Sequence, residues 1–276
     1  MRWIARPTGV AMNAKAALKL LLPPAILAIA KRLSTPAVSF TGDYGSWEEA
    51  SAGATGYDTQ EILRRVLAAT RKVAAGEAVY ERDSVVFDHI EYSWPLLASL
   101  LQVAAERKSL RVIDVGGSLG STWRQNRKFL ERLELPLAWR VVEQPHFVSI
   151  GREEFSDEVL RFYASIDEAQ EGGADVVLFC SSLCYLPEPR AFLDAAARAA
   201  PYLIIDRLPL NSGEKDRIAL QKVGEPIYTA SYPVRLFSKE NLLRNVLSRW
   251  RLIETWNCDL QPDPMAQCQG FFMEKV

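Results

Sequence analysis

Histidine, cysteine pairs, excess charge and long apolar runs are all scarce in this 276-residue chain. Lys and Arg total 33 against 34 Asp and Glu, so no basic footprint marks nucleic acid as the main partner. The four cysteines are Cys180, Cys184, Cys258 and Cys268, and neither histidine, His89 or His146, lies near any of them. No C-x-x-C pair or Cys/His cluster is present, which argues against a zinc site, and no metal is expected. So few cysteines do not make a disulfide scaffold; they read as buried, reduced thiols of a cytosolic protein. No repeat or low-complexity tract is apparent. A membrane span needs roughly 20 uninterrupted apolar residues. The apolar stretch over 12–33 contains Lys19 and is broken by Pro23-Pro24. It begins on a basic note, as a secretory signal does, but no small-residue cleavage site and disulfide-rich chain follow. Two short helices are expected there. They either pack on the chain's own domain, lie on a membrane surface through Lys15, Lys19, Lys31 and Arg32, or dock on a partner. The corresponding location is cytoplasmic, with peripheral contact at the inner membrane as the variant. Oligomeric state leaves no signature.

What is present is an ordinary globular composition, 49% hydrophobic and 24% charged, organised around one stretch. Leu110 to Val115 is a short, largely β-branched run, as a buried parallel strand would be. It is followed by Gly116, Gly117, Ser118, Leu119 and Gly120, then by a helix opening at Ser121-Thr122. Strand, glycine turn and helix N-terminus together cradle a nucleotide-like cofactor, because glycine lets the backbone approach and the helix end offers free N–H groups. Asp114 sharpens the choice. The order is D-x-G-G-x-x-G, with an acid where a dinucleotide fold has glycine and where a pyrophosphate would be repelled. A carboxylate there suits a ligand that is cationic nearby, as S-adenosylmethionine (SAM) is.

The rest of the chain reads as strands alternating with helices. A helix from Asp58 or Thr59 to Gly76 is expected, after a glycine-rich loop over 42–46 and a short helix. Residues 80–83, Tyr-Glu-Arg-Asp, form either a capping loop with an Arg82 ion pair or part of a substrate wall. A helix spans Trp94 to Arg107. Further strands are expected at 138–143, ending in Glu143, then at 161–164, 175–180 and 202–206, with a helix over 190–200. Glu143 lies 27 residues beyond Gly116, further than the ~20 usual for the ribose-binding acid of such folds. Strands 250–256 and 270–274 are expected as an antiparallel pair at the sheet's edge. Fold class is thus α/β: a doubly wound, Rossmann-like, seven-stranded sheet with an antiparallel last strand, plus an N-terminal helical extension. Residues 1–93 form the extension and lid, and 94–276 the cofactor-binding domain.

This order resembles the class I SAM-dependent methyltransferases, on Asp114, Gly116, Gly117, Gly120, Glu143 and the 175–189 segment. The chain also resembles a narrower family of methyltransferases found among bacterial surface-polysaccharide genes. That likeness rests on Tyr44-Gly45-Ser46-Trp47, Tyr80-Glu81-Arg82-Asp83-Ser84, the glycine turn, 125–130, Val142-Glu143-Gln144-Pro145 and Ile205-Asp206-Arg207. The resemblance implies SAM as cofactor, held by Asp114, Gly116, Gly117, Ser118, Gly120, Glu143, Gln144, Ser165, Ile166, Ser181 and Ser182. It implies a small-molecule or saccharide acceptor. Ser181-Ser182 stands where amino-methylating enzymes of nucleobases and glutamine have an Asn-Pro-Pro-Tyr signature, which favours an O-methyl acceptor.

Methyl transfer to an alcohol needs alignment, exclusion of water and a base or a metal. Candidates near the strand ends are His146, Asp206, Arg207 and Tyr185, with His89 entering from the lid. Gln221, Tyr228, Tyr232 and Arg235, in an insertion read as loop-rich, are candidates for the acceptor wall. Two other readings remain: a non-catalytic SAM-fold scaffold in a membrane-associated glycan assembly, and an NAD-type oxidoreductase, which Asp114 disfavours.

Overall fold

The structure, a computed structural model, describes residues 38–56, 60–247, 249–258 and 266–276. The expectations for residues 12–33 lie outside the described residues. In chain order the elements begin with strand β1 (Val38–Tyr44) and helices α1 (Trp47–Ala52) and α2 (Gln60–Ala74). A hairpin, β2 (Tyr80–Arg82) and β3 (Val85–Phe87), leads to α3 (Trp94–Arg107). Then come β4 (Leu110–Val115), α4 (Ser121–Leu130), β5 (Leu137–Val142), α5 (Pro145–Ile150), β6 (Leu160–Tyr163) and α6 (Ile166–Ala169). They are followed by β7 (Val176–Cys180), α7 (Pro189–Ala199), β8 (Tyr202–Asn211), β9 (Arg217–Val223) and β10 (Ala230–Ser238). The chain continues through α8 (Lys239–Leu247), β11 (Trp250–Asn257) and β12 (Ala266–Lys275).

Seven strands lie side by side in the order β6-β5-β4-β7-β8-β12-β11. β6, β5, β4, β7 and β8 run parallel, whereas β12 is antiparallel to both β8 and β11. This is the expected α/β sheet with an antiparallel last strand. The central strands read as nearly continuous apolar runs because both faces are covered. Val112, Leu178, Ile204 and Phe272 join one core, and Ile113, Val177, Phe179, Leu203 and Phe271 the other. α3 packs Leu96, Leu97, Leu100 and Val103 into the first core. Each such buried side chain is worth about 1.5–3 kcal/mol. Its Pro95 sits in the first turn, where a missing N–H is harmless.

Three strands beyond the expected seven enlarge the sheet. β7 pairs with β8 as far as Asp206; further along, β10 pairs with β8 at Leu210 and Asn211. β9 and then β1 continue outward, all antiparallel. The insertion read as loop-rich is therefore two strands. Likewise, residues 38–93 contain three strands besides two helices. β1 is tied into the sheet by its ladder with β9, and residues 37–276 form one compact unit. Among the described residues, no helix is long and apolar enough to cross a membrane.

Candidate functional site

The C-terminal ends of β4, β5 and β7 meet at the glycine turn. Backbone pairing carries past the strand ends: Gly116 N–H donates to Val142 C=O at 2.8 Å. Gly116 adopts φ +73°, and a Cβ there would lie 2.5 Å from the Ser182 Cβ, so the turn and the loop after β7 are in van der Waals contact. Ser182 strengthens that contact by donating its hydroxyl to the Val115 carbonyl at the end of β4. Glu143 closes the turn from the β5 side. Its Oε1 accepts from Ser118 N–H at 3.2 Å and its Oε2 from Gln144 N–H at 2.9 Å. Burial pushes this carboxyl up, while those two N–H groups pull it back. Gly120 caps α4 in a left-handed conformation without any side-chain bond to the helix end. The first-turn N–H groups of α4 therefore receive no side-chain cap.

Asp114 lies near the end of β4, beneath the turn. Strand parity puts it on the same face as Val112, and it has no exposed surface. A Cβ on Gly117 would be 2.5 Å from Asp114 Oδ2. That oxygen accepts from Trp139 Nε1 at 3.0 Å, and Oδ1 has no hydrogen-bond partner. Burial pushes the carboxyl up to about 7, against the Trp139 bond that lowers it and with Glu143 adding repulsion. Asp114 is thus the floor of the turn.

The remaining expected cofactor residues divide. Gln144 is the residue before α5 and Ser181 sits in a left-handed conformation after β7, donating its N–H to Asp206 C=O at 2.9 Å. Ser165 caps α6, its hydroxyl accepting from Glu168 N–H at 3.1 Å, and Ile166 is buried. Gly116, Gly117, Ser118, Gly120, Glu143 and Ser182 are brought together directly; Ser165 and Ile166 begin the helix after β6, two strands from β4.

Among the expected catalytic residues, Asp206 is enclosed. It is 1% exposed, and its Oδ1 accepts from Trp256 Nε1 at 2.8 Å and from Cys258 Sγ at 3.7 Å. Its Oδ2 accepts from Cys180 Sγ at 3.8 Å. An acid so enclosed anchors β11 against β8 instead of serving as an open base. Arg207, in a left-handed conformation, pairs loosely with Asp206 at 3.8 Å and keeps its side chain 12% exposed. His146 lies in the first turn of α5 with its ring 5.0 Å from that of Phe147. His89 is exposed and bonded to Asp88 at 2.6 Å. Tyr185 donates to Gln221 Oε1 at 2.9 Å; Gln221 Nε2 donates to Tyr232 at 3.1 Å, and Tyr232 and Tyr228 hydroxyls are 3.2 Å apart. Three of the four expected wall residues thus form one hydrogen-bonded chain with Tyr185. Arg235 instead donates to Pro187 C=O at 3.3 Å and lies over the Trp47 ring.

The hairpin β2–β3 is the part that sequence reasoning left undecided. Its turn residue Asp83 is solvent-exposed, yet surrounding protein raises its carboxyl by burial, against the nearby positive charges of Arg82 and Arg207. Tyr80, with Arg82 beside its ring, lies within electrostatic reach of Arg207 in β8 and Cys180 at the end of β7. Ser84 fastens the hairpin, donating to Ile227 C=O at 2.7 Å. Glu81 belongs to the 80–83 segment expected as a capping loop or substrate wall, but was not singled out as a cofactor-binding residue. Two surface clefts, about 620 and 510 Å³, lie instead along β6 and α5 and share Arg152. Among the described residues, no group of three or more His, Cys, Asp or Glu side chains is placed to hold a metal ion.

No protein-family profile matches the chain, and no curated protein matches it significantly. Solved structures do align. The N-terminal domain of EvdMO1, crystallised with SAH and D-fucose, is 16% identical at a TM-score of 0.47, covering 79% of this chain and 97% of that one. The glycopeptide N-methyltransferase MtfA with sinefungin is 10% identical at 0.41, covering 65% and 94%. CalS10, an amino pentose methyltransferase from Micromonospora echinaspora solved with SAM, is 15% identical at 0.38, covering 65% and 92%. At these scores no residue role is carried across.

Proposed function

We propose that this protein is a SAM-dependent methyltransferase acting on a hydroxyl of a small-molecule or saccharide acceptor. The observation that carries the cofactor is Asp114: a buried carboxyl directly under the glycine turn, with one oxygen unsatisfied. A pyrophosphate over that turn would meet an acid; a ligand carrying positive charge and no phosphate would not. Glu143 fits the ribose hydroxyls, since each of its oxygens accepts one backbone bond and has capacity for another. Gln144, Ser165, Ile166, Ser181 and Ser182 are the neighbours assigned to the rest of the nucleoside. When bound, the cofactor supplies an electrophilic methyl group on a sulfonium.

The chain's own residues supply the rest. The hairpin and the Tyr185–Gln221–Tyr232 chain wall off the ends of β7 and β8, which orders the acceptor and excludes water. Asp83, exposed at the hairpin turn, takes the acceptor's hydroxyl proton, a role Asp206 is too enclosed to fill. Arg82 and Arg207 position the acceptor beside it. A role in surface-polysaccharide synthesis is supported by the family resemblance of 80–84 and 205–207.

A thermal-shift titration tests the reading. SAM or its demethylated product S-adenosylhomocysteine (SAH) raises the melting temperature, because a ligand that binds only the native state stabilises it, and NADH does not. A shift with NADH and none with SAM or SAH overturns it.

A further inference from the structure

We propose that Glu81, carried on the hairpin outside the Rossmann-like sheet, completes a zwitterion site at the start of α4 and binds the ammonium of the cofactor's amino-acid end. This rests on the SAM reading above and adds a residue and a selectivity to it.

Three observations converge. Glu81 is 1% exposed, so its carboxyl has left water. Its Oε1 accepts from the Ser121 hydroxyl, the first residue of α4, while Oε2 has no hydrogen-bond partner. Two other buried acids are better provided for, Asp175 by Arg111 and Ser109 and Asp206 by Trp256, whereas Asp114, like Glu81, has an idle oxygen. A buried acid whose second oxygen is idle costs stability that a cationic ligand group would offset. The second observation is the helix end. Gly120 offers no side chain to the first-turn N–H groups of α4, so the positive end of a ten-residue helix is uncapped beside that acid. A donor set for a carboxylate and an acceptor for an ammonium stand together, which is the complement of an α-amino acid. The third is the available internal cation. Arg124 is on the same helix, but it donates to the Leu119 carbonyl and lies over the Phe155 ring at 5.1 Å, and no ion pair with Glu81 forms among the described residues. The charged groups that act on Glu81 are Asp83, which repels its charge, and Arg124 and Arg82, which favour it.

The consequence is selectivity for the intact amino-acid end. Calorimetric titration compares SAH with 5′-methylthioadenosine, which keeps the nucleoside and thioether but lacks the amino acid. The wild-type chain binds SAH at least about tenfold more tightly. At pH 7 SAH binding releases protons, read as a dependence of the heat on buffer ionisation enthalpy, and methylthioadenosine binding does not. Glu81→Gln abolishes most of the preference and the proton release, and changes methylthioadenosine affinity less than about twofold. Equal loss for both ligands in a folded variant, or an unchanged SAH affinity, overturns the inference and leaves the SAM reading standing. Wild-type chain that binds neither ligand overturns both. The wild-type arms decide even if the variant fails to fold: no preference for SAH and no proton release overturns the inference.

Discussion

Asp114 and Glu81 are carboxyls that burial pushes up to about 7 from ordinary values of 3.8 and 4.5. The native chain therefore holds protons that the unfolded chain would release. Stability is fully present below about pH 4 and is lost as pH rises through about 7, with a slope set by the excess protons bound. Asp175 works in the opposite sense: burial alone would raise it, but Arg111 and Ser109 hold it below its ordinary value, so its contribution fails only in acid. The ligand-free protein is accordingly expected to melt lower at pH 8 than at pH 5. Asp114→Asn and Glu81→Gln should each flatten that dependence and raise the unfolding free energy at pH 8, by on the order of a few kcal/mol at most, with a higher melting temperature. A profile unchanged in both variants would show that these acids are not the titrating groups. Glu143 makes a separate prediction. Glu143→Ala should weaken SAH binding by roughly 1.5–3 kcal/mol, seen as a loss of affinity in the same titrations, with the fold retained.

At the scale of elements, the glycine turn depends on contact with the loop after β7. Gly116→Ala combines a left-handed backbone with a Cβ 2.5 Å from Ser182 Cβ. The backbone alone costs roughly 1–2 kcal/mol, and one loop must move. The variant should melt several degrees lower and lose its SAH-dependent stabilisation. Gly76→Ala is the control: φ is +75° with open space around it, so it should melt lower yet keep its response to SAH. These elements were legible because each is locally determined. Apolar strands buried on both faces, a turn rich in glycine and a following helix leave a pattern in a dozen residues. The hairpin and the β1, β9 and β10 strands did not, for physical reasons. β2 and β3 are three residues each, too short for a period to show. β10 contains Pro233, which reads as a breaker; yet at that point it pairs with β9 alone, and a missing N–H is tolerated where one side has no strand partner. β1 bends through a bulge between Thr41 and Tyr44, with Gly42 inside it. Asp114 shows the same limit at one residue. Its place at a strand end was clear, but whether it faces ligand or core was decided by parity and by Trp139, which lies 25 residues away.

For the molecule as a whole, all four cysteines are free. Burial pushes the Cys180, Cys258 and Cys268 thiols up to about 12, and that of Cys184 up as well. Thiolate, the reactive form, is thereby suppressed. A thiol reagent at pH 8 should label native protein slowly and label four sites per chain in denaturant, and a reductant should leave the melting temperature unchanged. Rapid labelling of the native chain would contradict this burial. The position of β12 between β8 and β11 has a different kind of consequence. During synthesis β11 leaves the ribosome before the strand that must separate it from β8. Until residues 266–275 pair there, β8 offers a bare edge on that side, and the nascent chain can be captured by any extended segment nearby.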